Sequence, residues 1–419
     1  MTGSDLPGSR RPESVGPGSD RPAYDVEQVR RQFPALRSGT AFFDGPGGSQ
    51  VPAPVAQAIA AAMTAGLSNR GRLTPAERAA DDIVLAARTA VADLLGADPR
   101  GVVFGRSMTA LTYELSRALA KQWRPGDEVV VTSLDHDANI RPWAQAAASA
   151  GATLRWAELV PETGELPLES VARVLSSQTR LVAVTGASNL IGTRPDVAAI
   201  SAAAHSVGAL VFVDGVHLTP HTAVDVRALG ADFYAASPYK FLGPHLGLVA
   251  ADPALLETLR PDKLLPSAEA VPERFELGTL PYELLAGVTA AVDFLAELVP
   301  ASSSRRERLI TSLTALSTYE DSLAERLRAG LEACPGVTLH GRAARRTPTV
   351  LFTPPGCTPA QMSGRLAAAD INAPSGSFYA LEASRRLGLD GGGAVRAGIA
   401  PYSTAEDVDR LLAVVGSAG

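Results

Sequence analysis

The chain has 419 residues, enough to bury one large core and a smaller second one. Acidic side chains outnumber basic ones, 44 to 38, so the surface is not built to grip nucleic acid, which calls for clustered Lys and Arg. Two cysteines, Cys334 and Cys357, are too few for a disulfide framework and fit a reducing, cytoplasmic setting.

Residues 1–23 are rich in Gly, Pro, Ser and Arg, without the apolar stretch of a secretory signal, and are expected to form a flexible tail. No later segment has the uninterrupted apolar run of a membrane span. Ordered structure is expected from Tyr24, with Asp25 capping a helix over 26–33. A turn-rich patch, DGPGGS (44–49), leads to an Ala-rich helix ending at Thr64, and Pro75 opens a helix that runs to Leu95. Short apolar runs then recur at 102–104, 128–132, 153–156, 181–185 and 209–213. Helical stretches lie between them at 109–121, 142–150, 168–175 and 197–206. This alternation predicts βαβ units around a mostly parallel sheet, an α/β fold whose ligands gather at the carboxyl ends of the strands. After Phe294 the texture changes to one charged helix over 304–331, strands at 337–340 and 349–352, a helix over 359–369, and a last pair at 394–399 and 404–415. The expected division is a large domain over 24–295, its N-terminal segment also reaching the second unit and the site, and a small C-terminal α/β domain over 296–419.

Two residues at adjacent strand ends carry the chemistry. The run 209–213 leads into Asp214-Gly215-Val216-His217, and ADFYAASPYKFL (231–242) places Lys240 in a polar turn after another apolar run. Alone, such a Lys is a surface charge and such an Asp a turn residue. Together they are what pyridoxal 5'-phosphate requires: an amine to bind the aldehyde and a carboxylate to keep the pyridine nitrogen protonated.

The motifs SLDHDANIRPW (133–143), SNLIGT (188–193), VDGVH (213–217), SPYK (237–240), FELGT (275–279) and VRAGIAPYST (395–404) occur in this order, and with them the chain resembles the class V aminotransferase family, in its cysteine-desulfurase-like branch. The resemblance runs from about Asp25 to the end. It implies a fold-type I pyridoxal-phosphate transferase fold and a homodimer with active sites at the subunit interface. It makes Lys240 the Schiff-base lysine, Asp214 the partner of the pyridine nitrogen, and His136 the group over the ring face. His217, where relatives carry Gln, falls beside the phenolic oxygen, and Asn189 near the same ring oxygen. Ser237 is assigned to the phosphate, with Tyr239 where relatives carry His. The backbone at Ser107, Met108 and Thr109 opens a helix suited to a phosphate dianion. Thr279 approaches from the partner subunit, and Arg396 clamps the substrate carboxylate. Asn69, Arg70, Phe378 and Tyr379 are candidates for shaping the side-chain pocket.

One departure bears on the reaction. Relatives that form a persulfide carry a nucleophilic Cys on the loop that here reads NAPSGSFYA (372–380), and Tyr379 stands in its place. A phenol cannot accept sulfur, so the expected activity is Cα-proton abstraction on an amino acid, most simply followed by β-elimination or substitution, as in a carbon–sulfur lyase. Epimerisation and transamination are the alternatives, as is a cofactor-binding protein without turnover, against which intact Lys240, Asp214 and Arg396 argue. His217 and His221 have helical spacing, but Pro220 intervenes and no further ligand completes a metal site. Gly391–Gly393 lacks the Lys that a phosphate-binding loop needs.

Overall fold

The computed structural model describes residues 24–389 and 391–417, so the stretch read as a tail lies outside the described residues. Seven strands form the main sheet, in the order Val102–Gly105, Gly247–Ala251, Phe233–Ala236, Leu210–Asp214, Thr179–Thr185, Glu128–Thr132, Thr153–Ala157. Gly247–Ala251 alone runs antiparallel to its neighbours. Both faces are covered, so the central strands are continuously apolar rather than alternating. Odd and even positions feed different cores. Val130, Val182, Val211 and Val213 pack into one cluster, while Val129, Val131, Leu181 and Phe212 pack into another.

Most elements form where the sequence places them, for local reasons. The helix Pro75–Leu95 starts at a capping box of Thr74 and Glu77 and stops at Gly96 in the left-handed region. The first helix, Val26–Arg30, is shorter than its apolar pattern suggests, because Pro34 favours extended backbone at Phe33. The strand Gly247–Ala251 is absent from the predicted rhythm. It is reached through the connection 237–246, which holds the short turn Pro238–Lys240 and no crossover helix, so no helical stretch precedes it.

A second, antiparallel sheet has the order Ser375–Gly376, Ala394–Gly398, Thr349–Thr353, Thr338–His340. The N-terminal segment reaches this unit, pairing Ala41–Phe42 in parallel with Ile371–Asn372. The two units share one long helix, Arg305–Ala333. Its Leu309, Leu313 and Leu316 enter the main core, and Leu323, Leu327 and Leu331 enter the core of the second sheet. The cleft between the sheets is where most of the predicted residues meet.

Candidate active site

Asp214 ends its strand fully enclosed, with its carboxylate accepting a 3.0 Å bond from the Val216 N–H. Burial pushes its pKa up, against the pull of that N–H and of Lys240. Such an acid is short of a cation. Gly215 must follow it, because a Cβ there would lie 1.9 Å from Cζ of Tyr234 in the next strand. Lys240 sits in the turn Pro238–Lys240 and points inward, only 9% exposed, its Nζ donating to the Pro46 carbonyl at 2.6 Å. Burial and the charge of Arg396 lower its pKa to about 8, although Asp214 and Asp44 oppose them.

Two cavities that share Thr109, His136, Asn189, Tyr239 and Lys240 make up the site. The inner one, about 60 Å³, is lined by every residue assigned above to the cofactor except Thr279: Ser107, Met108, Thr109, His136, Asn189, Asp214, His217, Ser237, Tyr239 and Lys240. Ser107 caps the helix Met108–Ala120, whose N-terminus is pressed against the sheet, since a Cβ on Gly247 would lie 2.0 Å from the Ser107 carbonyl carbon. His136 accepts the Ala138 N–H at Nδ1, and burial, reinforced by Lys240 and Arg396, drops its pKa to about 4, leaving the imidazole neutral. His217 directs Nε2 to Thr347 and Thr349 at 2.9 and 3.0 Å, and burial likewise holds it neutral. Tyr239 stacks on His245 with ring centroids 4.8 Å apart.

The outer cavity, about 580 Å³, adds Asp44, Pro46, Gly47, Arg141, Phe378, Tyr379 and Arg396. Arg396 is buried in the strand Ala394–Gly398, with Nη1 on the Asn189 carbonyl at 3.0 Å and Nη2 on Asp44 at 2.6 Å. Its guanidinium lies 3.7 Å from the centroid of the Phe378 ring. Phe378 and Tyr379 both have positive φ, 53° and 59°, an uncommon conformation for aromatic residues; Phe378 is partly buried, while Tyr379, at the cavity edge, stays 77% exposed. The Tyr379 ring stands 5.7 Å from that of His136. Neither cysteine lines either cavity.

Three candidates lie away from this chain's cavities. Thr279 and Asn69 are exposed, and Arg70 is held by Asp81 and Glu273 at 2.7 and 3.0 Å. Conversely, the sequence reading passed over Asp44, which it saw only as part of a turn, and Asp135. Asp135 lies inside a quoted motif but received no role. Its carboxylate takes the Thr132 hydroxyl and, at 2.7 Å, the Asn139 amide, which in turn accepts the Trp143 N–H at 3.0 Å. Burial raises its pKa to about 8. A larger groove, about 920 Å³, lies elsewhere along Arg100, His205 and Arg227, and among the described residues no lysine lines it.

Several features test the fit of pyridoxal 5'-phosphate. Asn189 Oδ1, His217 Nδ1, Ser237 Oγ and Arg396 Nε are buried without a hydrogen-bond partner among the described residues. Each such atom is costly unless a ligand satisfies it. A serine hydroxyl beside a helix N-terminus suits a phosphate, and a buried acid suits a cationic ring nitrogen. The residues fit, and the fold and site together define a pyridoxal-phosphate-dependent enzyme of the fold-type I architecture.

The comparisons agree. The family model described as Aminotransferase class-V matches residues 41–411, and the chain belongs to that family. It is 37% identical over 403 residues to "Uncharacterized protein MT3887" of Mycobacterium tuberculosis, covering 95% of this chain and 100% of that one. It is 34% identical over 416 residues to "Aminotransferase-like protein FGM3" of Gibberella zeae, covering 93% and 97%. Among solved structures, the cysteine desulfurase CsdA from Escherichia coli superposes with a TM-score of 0.83 at 26% identity, covering 94% of this chain and 98% of that one. The resemblance read from the six motifs is thus borne out, and the cofactor is pyridoxal 5'-phosphate.

Proposed function

We propose that this enzyme removes the α-proton of an amino acid and then expels or replaces a β-substituent, without forming a protein persulfide. The carrying observation is a buried Lys240, whose pKa burial and Arg396 lower to about 8, facing a cavity that neither cysteine lines. The bound cofactor supplies the electron sink for the carbon that loses the proton. With the cofactor bound, Asp214 would keep its ring nitrogen protonated, and neutral His136 would lie beside the ring without competing for that proton. Ser237, Tyr239 and the N–H groups at Ser107, Met108 and Thr109 would hold its phosphate, while Asn189 and His217 would hydrogen-bond its ring oxygen. Arg396 orients the substrate carboxylate, and Lys240 carries the proton from the α-carbon. Phe378 and Tyr379 bound the side-chain pocket.

The remaining assignments call for a homodimer. The loop around Arg70 and the turn before Thr279 meet through Arg70–Glu273; Leu73 and Leu277 on these loops are exposed, as are Leu264 and Leu265 on the segment that leads into the turn. A second copy there would cover these leucines and bring Thr279, Asn69 and Arg70 to the neighbouring site. Free Cys334 and Cys357 suit a cytoplasmic location. Among the described residues no helix is long and apolar enough to cross a membrane.

The test is incubation with a panel of amino acids in deuterated water. Deuterium at the α-carbon reports the shared first step. Pyruvate with ammonia marks elimination, a keto acid transamination, and inverted stereochemistry epimerisation. Lys240→Ala is expected to slow exchange at least about 100-fold and to abolish covalent retention of the cofactor. Exchange at the parent rate in that variant would remove Lys240 from the role of base. Mass spectrometry after incubation with cysteine is expected to find no persulfide on either Cys334 or Cys357.

A further inference from the structure

The Arg396 guanidinium is incompletely used. Nη1 is committed to the Asn189 carbonyl and the plane is fixed by Phe378, so the edge formed by Nε and Nη2 remains for a ligand. A carboxylate binds such an edge through two parallel bonds. Asp44 takes only half of it, reaching Nη2 at 2.6 Å while Nε stays buried and without a partner among the described residues.

We propose that Asp44 is a displaceable stand-in for the substrate carboxylate, occupying part of the Arg396 edge in the resting enzyme and yielding it on binding. Four observations support this. The Arg396 side chain is 2% exposed, and a guanidinium so deeply buried needs a counter-ion when no substrate is present. The Asp44 side chain is 31% exposed and lines the outer cavity, so it is the partner that regains water by rotating away. Its backbone stays pinned meanwhile, its carbonyl accepting the N–H groups of Gly47 and Gly48 at 2.9 Å each. The turn is shaped for this resting position: a Cβ on Gly47 would lie 2.5 Å from the Asp44 carboxylate, so glycine there makes room for it. An incoming carboxylate that also satisfies Nε gains a bond Asp44 does not make. Ligands lacking a carboxylate gain nothing, so the device selects for one.

The inference rests on Arg396 being the carboxylate anchor, and the experiment separates the two claims. Propionate is titrated calorimetrically into the holoenzyme, with propionamide as the neutral control. Asp44→Asn is expected to bind propionate about tenfold more tightly than the parent, as follows when a competitor that blocks about nine sites in ten is removed. Propionamide is expected to show no gain. Asp44→Ser, with a smaller neutral side chain, provides the same comparison should Asp44→Asn fold poorly. Unchanged or weaker binding in both variants overturns the proposal. Arg396→Lys identifies the cause. If propionate binds equally well without the guanidinium, the anchor reading itself fails. If binding needs Arg396 but ignores Asp44, only the displacement fails.

Discussion

Lys240 is an amine kept where its charged form is disfavoured, and this has a measurable consequence. With its pKa lowered to about 8 by burial and by Arg396, the neutral, nucleophilic fraction grows as pH rises through that value. The rate at which cofactor-free protein takes up pyridoxal 5'-phosphate, followed by stopped-flow absorbance, is expected to rise roughly tenfold between pH 7 and pH 9 and then flatten. An inflection at an ordinary lysine pKa would show an amine in bulk water. Asp44→Asn removes a charge that favours the ammonium, so it should move the inflection down. His136 has the opposite kind of signature. Its folded pKa of about 4 lies below the ordinary 6.5, so the unfolded chain binds a proton that the folded site refuses. This group therefore costs stability as pH falls from 6.5 towards 4 and has no effect above that window. His136→Gln is expected to flatten the acid limb of the melting-temperature profile relative to the parent.

Elements matter here mainly through how closely they approach one another. The helix Met108–Ala120 presents its N-terminus to the inner cavity only because Gly247, in the neighbouring strand, has no side chain. Gly247→Ala is expected to cost about 1–3 kcal/mol in urea unfolding and to weaken cofactor retention in equilibrium dialysis. Loss of stability with unchanged retention would detach the helix from phosphate binding. The FELGT motif divides its labour in a similar way. Glu276 is buried against Arg88 at 2.8 Å and accepts the Phe104 N–H at 3.0 Å, whereas Thr279, three residues on, is exposed. The buried half anchors a turn whose other half faces outward. Glu276→Ala leaves the Arg88 charge without that partner and is expected to cost about 3–5 kcal/mol in the same assay.

For the whole molecule, we propose that the two sheets mark a large domain ending near residue 295 and a small one beyond it, with the N-terminal segment crossing back to the second. The long helix Arg305–Ala333 ties them, since its leucines enter both cores. The exposed leucines of the segment 264–277, which leads up to Thr279, argue for a second copy. Leu264 and Leu265, adjacent in sequence, are 69% and 95% exposed, apolar surface that a second copy would cover. Sedimentation is expected to give a dimer for the parent and a shift towards monomer for Leu265→Asp, with lower cofactor affinity if Thr279 serves the neighbouring site. A parent that remains monomeric at high concentration would leave Thr279, Asn69 and Arg70 without a role.

Much of this was legible in the sequence because it is local. The alternation of apolar runs and helices predicts the parallel sheet, since a strand buried on both faces needs an unbroken apolar run and a crossover needs a helix. Asp214 and Lys240 stood out because strand ends are where such sheets bind ligands. The antiparallel strand Gly247–Ala251 escaped because nothing next to it in sequence marks its direction. Asp44 escaped for a related reason: it lies 352 residues from Arg396, and no periodicity joins residues across such a distance. The chain order of residues thus determined the fold class, the family and the chemical groups. Only three-dimensional packing decided which of those groups are dry, which are left without partners, and which acid stands opposite Arg396, because desolvation and pairing depend on neighbours in space.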